Sequence, residues 1–138
     1  MSDKNNENDH DFQKRLATAC QGLVFVSETD SEVTPFFGRR TTSLDPEELL
    51  AAAGINDGRR VSVISFQDFF DKFTQEREWH TKRHIENSRG FRALKLLLTT
   101  ELSELMALKI GEINIDFVLI GRDKEGRVAG VKMHAIET

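Results

Sequence analysis

Near its end the chain alternates hydrophobic and polar positions with a period of two. Ile113, Ile115, Phe117 and Leu119 occupy every second position, the spacing of one face of a β-strand. The opposite face begins polar with Asn114 and Asp116 and turns apolar with Val118 and Ile120, so the strand is expected to be covered on both faces for part of its length. Residues 122–126 form a polar connection in which Gly126 is able to take positive φ, and a hairpin is expected there. Residues 127–136 then return with Ala129, Val131, Met133 and Ala135 on one face, and Glu137 and Thr138 stand at or just past the expected rim of the sheet. Upstream, residues 106–110 read as a third strand of the same sheet, turned by Gly111.

The period changes to helical elsewhere. Phe12, Leu16, Ala19 and Cys20 recur at helix spacing after Asp11, a good N-cap, and Gly22 is placed to end that helix. Residues 23–26 are a short apolar run expected to be buried, and they lead into an acidic loop at 27–32. Residues 33–37 suit only an edge strand, because Pro35 has no N–H to donate. Asp45, Pro46, Glu47 and Glu48 combine a cap, a proline at N1 and first-turn acids, so a helix is predicted from there to Ala53, with Gly54 as its stop. A short strand at 60–64 follows. Ser65 then caps a helix that carries Phe66, Phe69, Phe70 and Phe73 on one face, a pattern that fits core packing better than an aromatic ligand box. Residues 74–85 are a charged link bearing Trp79. Asn87 or Ser88 is expected to cap a long helix whose buried stripe is Phe91, Leu94, Leu97, Leu98 and Leu102. With the strands clustered late, the order predicts an α+β fold, a three-layer α/β/α sandwich around a mainly antiparallel sheet. Residues 1–10, nearly all polar, read as a disordered tail, and 11–138 as a single domain.

Composition narrows the class without naming a task. With 138 residues the chain is long enough to bury a core unaided. A single cysteine, Cys20, has no partner for an internal disulfide, which suits a reducing compartment. The polar start has no apolar signal core and no stretch is long enough to span a membrane, so a cytoplasmic location is expected. A net charge of −4 gives no overall attraction to nucleic acid.

Enzyme signatures are sparse. There is no glycine-rich phosphate loop and no nucleophile elbow, and no cofactor is expected. His80 and His84 are spaced to share a helix face and hold a metal, but position 81 is threonine where the zincin pattern requires glutamate; two solvated histidines fit better. Lys82, Arg83, Arg89, Arg92 and Lys95 make a local basic cluster at 82–95, which leaves a nucleic-acid-binding domain as an alternative reading.

Taken together, several separated stretches resemble the nuclease A inhibitor family. A helix runs into Gly22, Leu23 and then Ser27, Glu28, Thr29 and Asp30, similar to the family's G-L-x-x-x-S-E-x-[DE] stretch. Phe66 to Phe70 followed by Trp79 resembles its aromatic helix and tryptophan-bearing loop. Gly111, Glu112, Ile115, Asp116, Ile120 and Gly121 resemble its G-E-x-x-[LI]-D-x-x-x-[IV]-G strand, with Gly126, Ala129, Gly130 and the closing Ile136, Glu137 and Thr138 completing the set. The pattern departs from the family where Ser31, Glu32, Val33 and Thr34 delay Pro35, and where residues 80–84 are basic.

The resemblance implies an α/β/α sandwich and a non-enzymatic role, occluding the active site of a non-specific DNA/RNA endonuclease of the ββα-metal type. It implies partner-binding positions at Glu28, Glu78, Trp79, Glu137 and Thr138, with Thr138 reaching the metal of the nuclease. Membrane and nucleic acid are not expected as partners, and the free protein is expected to be a monomer. An interaction module of the same fold with a non-nuclease partner is the remaining alternative.

Overall fold

The computed structural model describes residues 2–25, 30–55, 58–74 and 82–136, with the side chains of 2–10, 72–74 and 83 outside that description. In chain order the elements are α1 (Ser2–Cys20), β1 (Val24–Phe25), β2 (Ser31–Glu32), β3 (Thr34–Arg40), α2 (Pro46–Ala52), β4 (Val61–Ile64), α3 (Phe66–Thr74), α4 (Lys82–Glu101), β5 (Ser103–Ile110), β6 (Asn114–Arg122) and β7 (Arg127–Ile136). The fold is α+β: among the described residues there are four helices and an antiparallel five-stranded sheet in the order β3-β7-β6-β5-β4, with β1 and β2 forming a separate ribbon.

The late hairpin forms the middle of the sheet. β6 is the central strand, paired with β7 from Asn114↔Ile136 to Arg122↔Val128. At the turn Gly126 has φ 79°, a conformation costly for other residues, and Asp123 Oδ1 accepts from the N–H groups of Glu125 and Arg127 at 2.8 and 3.0 Å. Pro35 lies in β3, on the edge of the sheet as its missing donor requires.

Alternation along β5, β6 and β7 divides the interior into two clusters. On one side Phe12 and Leu16 of α1, Phe69 and Phe70 of α3, and Phe91, Leu94 and Leu98 of α4 pack with Ile115, Phe117, Leu119, Val131 and Met133. On the other, Leu49, Leu50 and Ala52 of α2 pack with Leu108, Ile110, Val118, Ile120 and Val128. Fully burying each of the larger of these side chains is favourable by about 1.5–3 kcal/mol, so both faces contribute to holding β6 in place. Gly130 makes the β6–β7 packing possible: a Cβ there would lie 1.8 Å from the Leu119 carbonyl oxygen and 3.0 Å from the Phe36 ring.

Four local expectations change. α1 starts at Ser2, so Asp11 is not its N-cap; no glycine or proline interrupts residues 2–10, and Asp11 instead pairs with Arg15 one turn on at 2.9 Å. Residues 31–32, expected in a loop, form β2. Ile113 is 58% exposed rather than in the core, because the turn after Gly111 delays β6 until Asn114. α4 starts at Lys82, well before Asn87 and Ser88, so neither residue caps it. The caps at Asp45 and Ser65 form as expected: their side chains accept from Glu47 N at 3.3 Å and Asp68 N at 3.1 Å.

Candidate partner-binding site

Glu28, Glu78, Trp79, Glu137 and Thr138 all lie outside the described residues, as does His80. The described framework shows which elements carry these segments. Residues 26–29 join β1 to β2, residues 75–81 join α3 to α4, and residues 137–138 follow β7.

The β1–β2 ribbon, the beginning of α4 and the end of β7 meet at one end of the described structure. The β1–β2 ribbon pairs Val24 with Glu32 and Phe25 with Ser31. It is seated on the core by Phe25, whose ring centroid is 5.9 Å from that of Phe69 and 5.4 Å from that of Phe117. On one side the ribbon meets the end of β7, where the His134 N–H donates to Ser31 Oγ at 3.0 Å. On the other side it meets the beginning of α4. Asn87 Oδ1 accepts from Val24 N at 3.0 Å, and Asn87 Nδ2 donates to Val24 O at 2.8 Å. A cavity of about 420 Å³ beside this clamp is lined by Asp30, which follows residues 26–29, and by His84 and Glu86, which follow residues 75–81.

The end of β7 carries a polar cluster. Asp116 and His134 are directly opposite each other on β6 and β7, with Asp116 Oδ1 and His134 Nδ1 3.0 Å apart. Arg59, from the link before β4, donates through Nη2 to Asp116 Oδ2 and through Nη1 to the Asn114 carbonyl at 2.9 Å. Partial burial by itself pushes the Asp116 carboxyl up; hydrogen bonds from His134 and Arg59, with their charges, outweigh it and hold the carboxyl below its ordinary value. Asp30, Glu32 and Glu86 are exposed acids at the same end.

Sequence patterns alone did not single out Asn87, Ser31 or Arg59 for these roles. The Asp116–His134 pair did have a signal, since pairing across the 123–126 turn sets position 116 opposite 134.

The other sequence candidates are placed differently. His84 is exposed on α4, and among the described residues no group of three or more His, Cys, Asp or Glu is arranged to hold a metal ion. In the basic cluster, Lys82 lies 3.9 Å from Glu86 and Lys95 donates to Gln67 at 2.8 Å, so part of its charge is directed to intramolecular partners. Cys20 is buried, and burial pushes its thiol up to about 12, which keeps it protonated and unreactive. No described helix is long and apolar enough to cross a membrane.

The class defined by these features is an α+β domain with a two-faced antiparallel sheet and a polar rim at the outer end of its central hairpin. The sequence profile of NuiA, nuclease A inhibitor-like protein, matches residues 10–138, and the chain belongs to that family. No match was found among curated proteins. Family membership suggests a nuclease inhibitor with a nuclease as its partner.

Proposed function

We propose that this protein is a non-enzymatic inhibitor that occludes the active site of a metal-dependent, non-specific DNA/RNA endonuclease of the ββα-metal type. In this reading residues 26–29 present Glu28, residues 75–81 present Glu78 and Trp79, and the strand end presents Glu137 and Thr138. The protein has no catalytic residue or cofactor of its own. It acts as a cytoplasmic monomer, with 11–138 as its single domain. The two core clusters on opposite sides of the sheet support a three-layer α/β/α sandwich.

The observation that carries the reading is the meeting of the β1–β2 ribbon, the start of α4 and the end of β7, tied by the Asn87–Val24 and Ser31–His134 hydrogen bonds. Three described elements far apart in sequence thereby meet at one end, which supports the reading. A rigid mount suits an inhibitor, because less freedom is lost on binding.

The chemistry is consistent with such a partner. Mg²⁺ takes hard oxygen ligands, and Thr138 supplies a hydroxyl. Glu28 and the exposed acids Asp30, Glu32 and Glu86 complement a surface built to bind phosphate. Trp79 has the large, amphipathic side chain typical of an interface anchor. The test is to map the interface by following backbone amide resonances as the nuclease is added. Perturbations are expected around Asp30–Glu32, Lys82–Asn87 and His134–Ile136. Perturbations confined to the opposite hairpin end, around residues 123–126, would overturn the assignment.

A further inference from the structure

We propose that Arg59, Asp116, His134 and Ser31 form a positioning relay that locks the β1–β2 ribbon to the end of β7, making the two a single rigid mount. The purpose assigned to that mount rests on the inhibitor reading; the relay itself rests on the geometry of the free protein.

The contacts run in sequence from the link before β4 through β6 and β7 to β2. Arg59 fixes the start of β6 by donating to the carbonyl of Asn114 and to the Asp116 carboxylate. The other carboxylate oxygen of Asp116 holds the His134 ring at 3.0 Å, across the β6–β7 ladder. The His134 backbone N–H then donates to Ser31 Oγ at 3.0 Å, reaching the ribbon. The β6–β7 ladder is paired along its full length without these side chains, so the relay is not needed to form that hairpin. The ribbon is different. β2 is only two residues long and belongs to a separate sheet, so its attachment to β7 depends on the few bonds that cross between them.

Placement on the sheet supports a positioning role. Asp116 and His134 lie on the same face as Val118 and Ile120, toward the end of the ladder where Asn114 pairs with Ile136. Their side chains are 21% and 42% exposed and that of Arg59 is 32% exposed, so they sit at the rim rather than in the core. Among the described residues, Asp116 on β6 contacts the His134 ring and Arg59 from the link before β4 contacts Asp116, while Lys132 lies two positions away on the same strand and Glu32 follows Ser31 on β2. The hydrogen bonds to Asp116 hold its carboxyl ionised, which keeps it an acceptor toward both Arg59 and His134.

The test uses the whole chain in two measurements, amide hydrogen exchange of the free protein and inhibition of a Mg²⁺-dependent ββα-metal endonuclease. In Asp116→Asn, exchange at His134 is expected to accelerate by about tenfold relative to Leu119 and Val131, the scale of losing one charge-assisted hydrogen bond. Ser31→Ala removes the acceptor for His134 N, together with the hydroxyl's own donation to the Glu32 carbonyl at 3.2 Å, and should have the same local effect. Ser31→Thr keeps the hydroxyl and should restore both protection and inhibition. Inhibition should weaken by about tenfold in the first two variants while mid-sheet protection stays intact. If Asp116→Asn loses protection throughout the sheet, the Ser31 pair decides. Unchanged exchange at His134 in Ser31→Ala would overturn the relay. Wild-type protein that fails to inhibit while Ser31→Ala still loosens the ribbon would refute the inhibitor reading and leave the relay standing.

Discussion

Replacing Asn87 should reveal how much of the ribbon's position depends on one side chain. Its amide acts as a strand partner, accepting from Val24 N at 3.0 Å and donating to Val24 O at 2.8 Å in a part-buried setting. Asn87→Ala removes both bonds and leaves two backbone groups without that partner. At about 1 kcal/mol net per hydrogen bond, the expected loss is about 2 kcal/mol. For a chain of this length that corresponds to roughly 7 °C in melting temperature. Asn87→Asp sharpens the test. Its carboxylate can still accept from Val24 N but turns an oxygen toward Val24 O, so it should be at least as destabilising as alanine despite its similar shape. The assay is chemical denaturation of the wild type and both variants, with amide exchange at Val24 as the local readout. If both variants remain within about 0.5 kcal/mol of wild type, in the range of ordinary surface changes, the clamp does not carry the load assigned to it.

Further outcomes follow from the same structure. Gly130→Ala would set a Cβ 1.8 Å from the Leu119 carbonyl oxygen, and denaturation should show a loss of about 3 kcal/mol or more, or no folded protein at all. Cys20, with its thiol pushed to about 12 by burial, should react with a thiol reagent at neutral pH only as fast as the protein opens; prompt labelling of native protein would contradict this. The folded carboxyl of Asp116 is held below its ordinary value of 3.8, so its contribution is present above that value and is lost as pH falls through the lower folded value. Acid unfolding should therefore steepen below about pH 4 in wild type, and Asp116→Asn should be less stable at pH 7 with a flatter acid limb.

The parts of the fold legible in the sequence are those in which one local pattern determines one outcome. Alternation from Ile115 to Ala135 yields a hairpin with two covered faces, and the turn at Gly126 sets its register. The Phe91, Leu94 and Leu98 stripe likewise has a single use, as a buried helix face. Asn87 shows where this fails. An asparagine before an apolar stripe resembles a helix cap, yet α4 extends back to Lys82 and the amide is engaged with a strand 63 residues away. No local rule distinguishes those two uses. Arg59 is similar, because its contacts with Asn114 and Asp116 depend on the sheet order that brings β4 beside β5. Glu28, Trp79 and Thr138 were not legible from periodicity at all; only the family resemblance pointed to them. The described elements next to those segments are tied by hydrogen bonds at Val24 and Ser31 that join residues far apart in the chain.

The most direct measurement is a titration of the full chain, and of the chain lacking Thr138, into a Mg²⁺-dependent ββα-metal endonuclease while DNA hydrolysis is followed, with melting temperatures recorded alongside. The full chain is expected to stop hydrolysis at near-stoichiometric amounts. The shortened chain should melt at nearly the same temperature and inhibit at least tenfold more weakly, about 1.4 kcal/mol of lost binding. Equal inhibition by the two chains would contradict the terminal contact, and no inhibition by either would contradict the proposed inhibitor function itself.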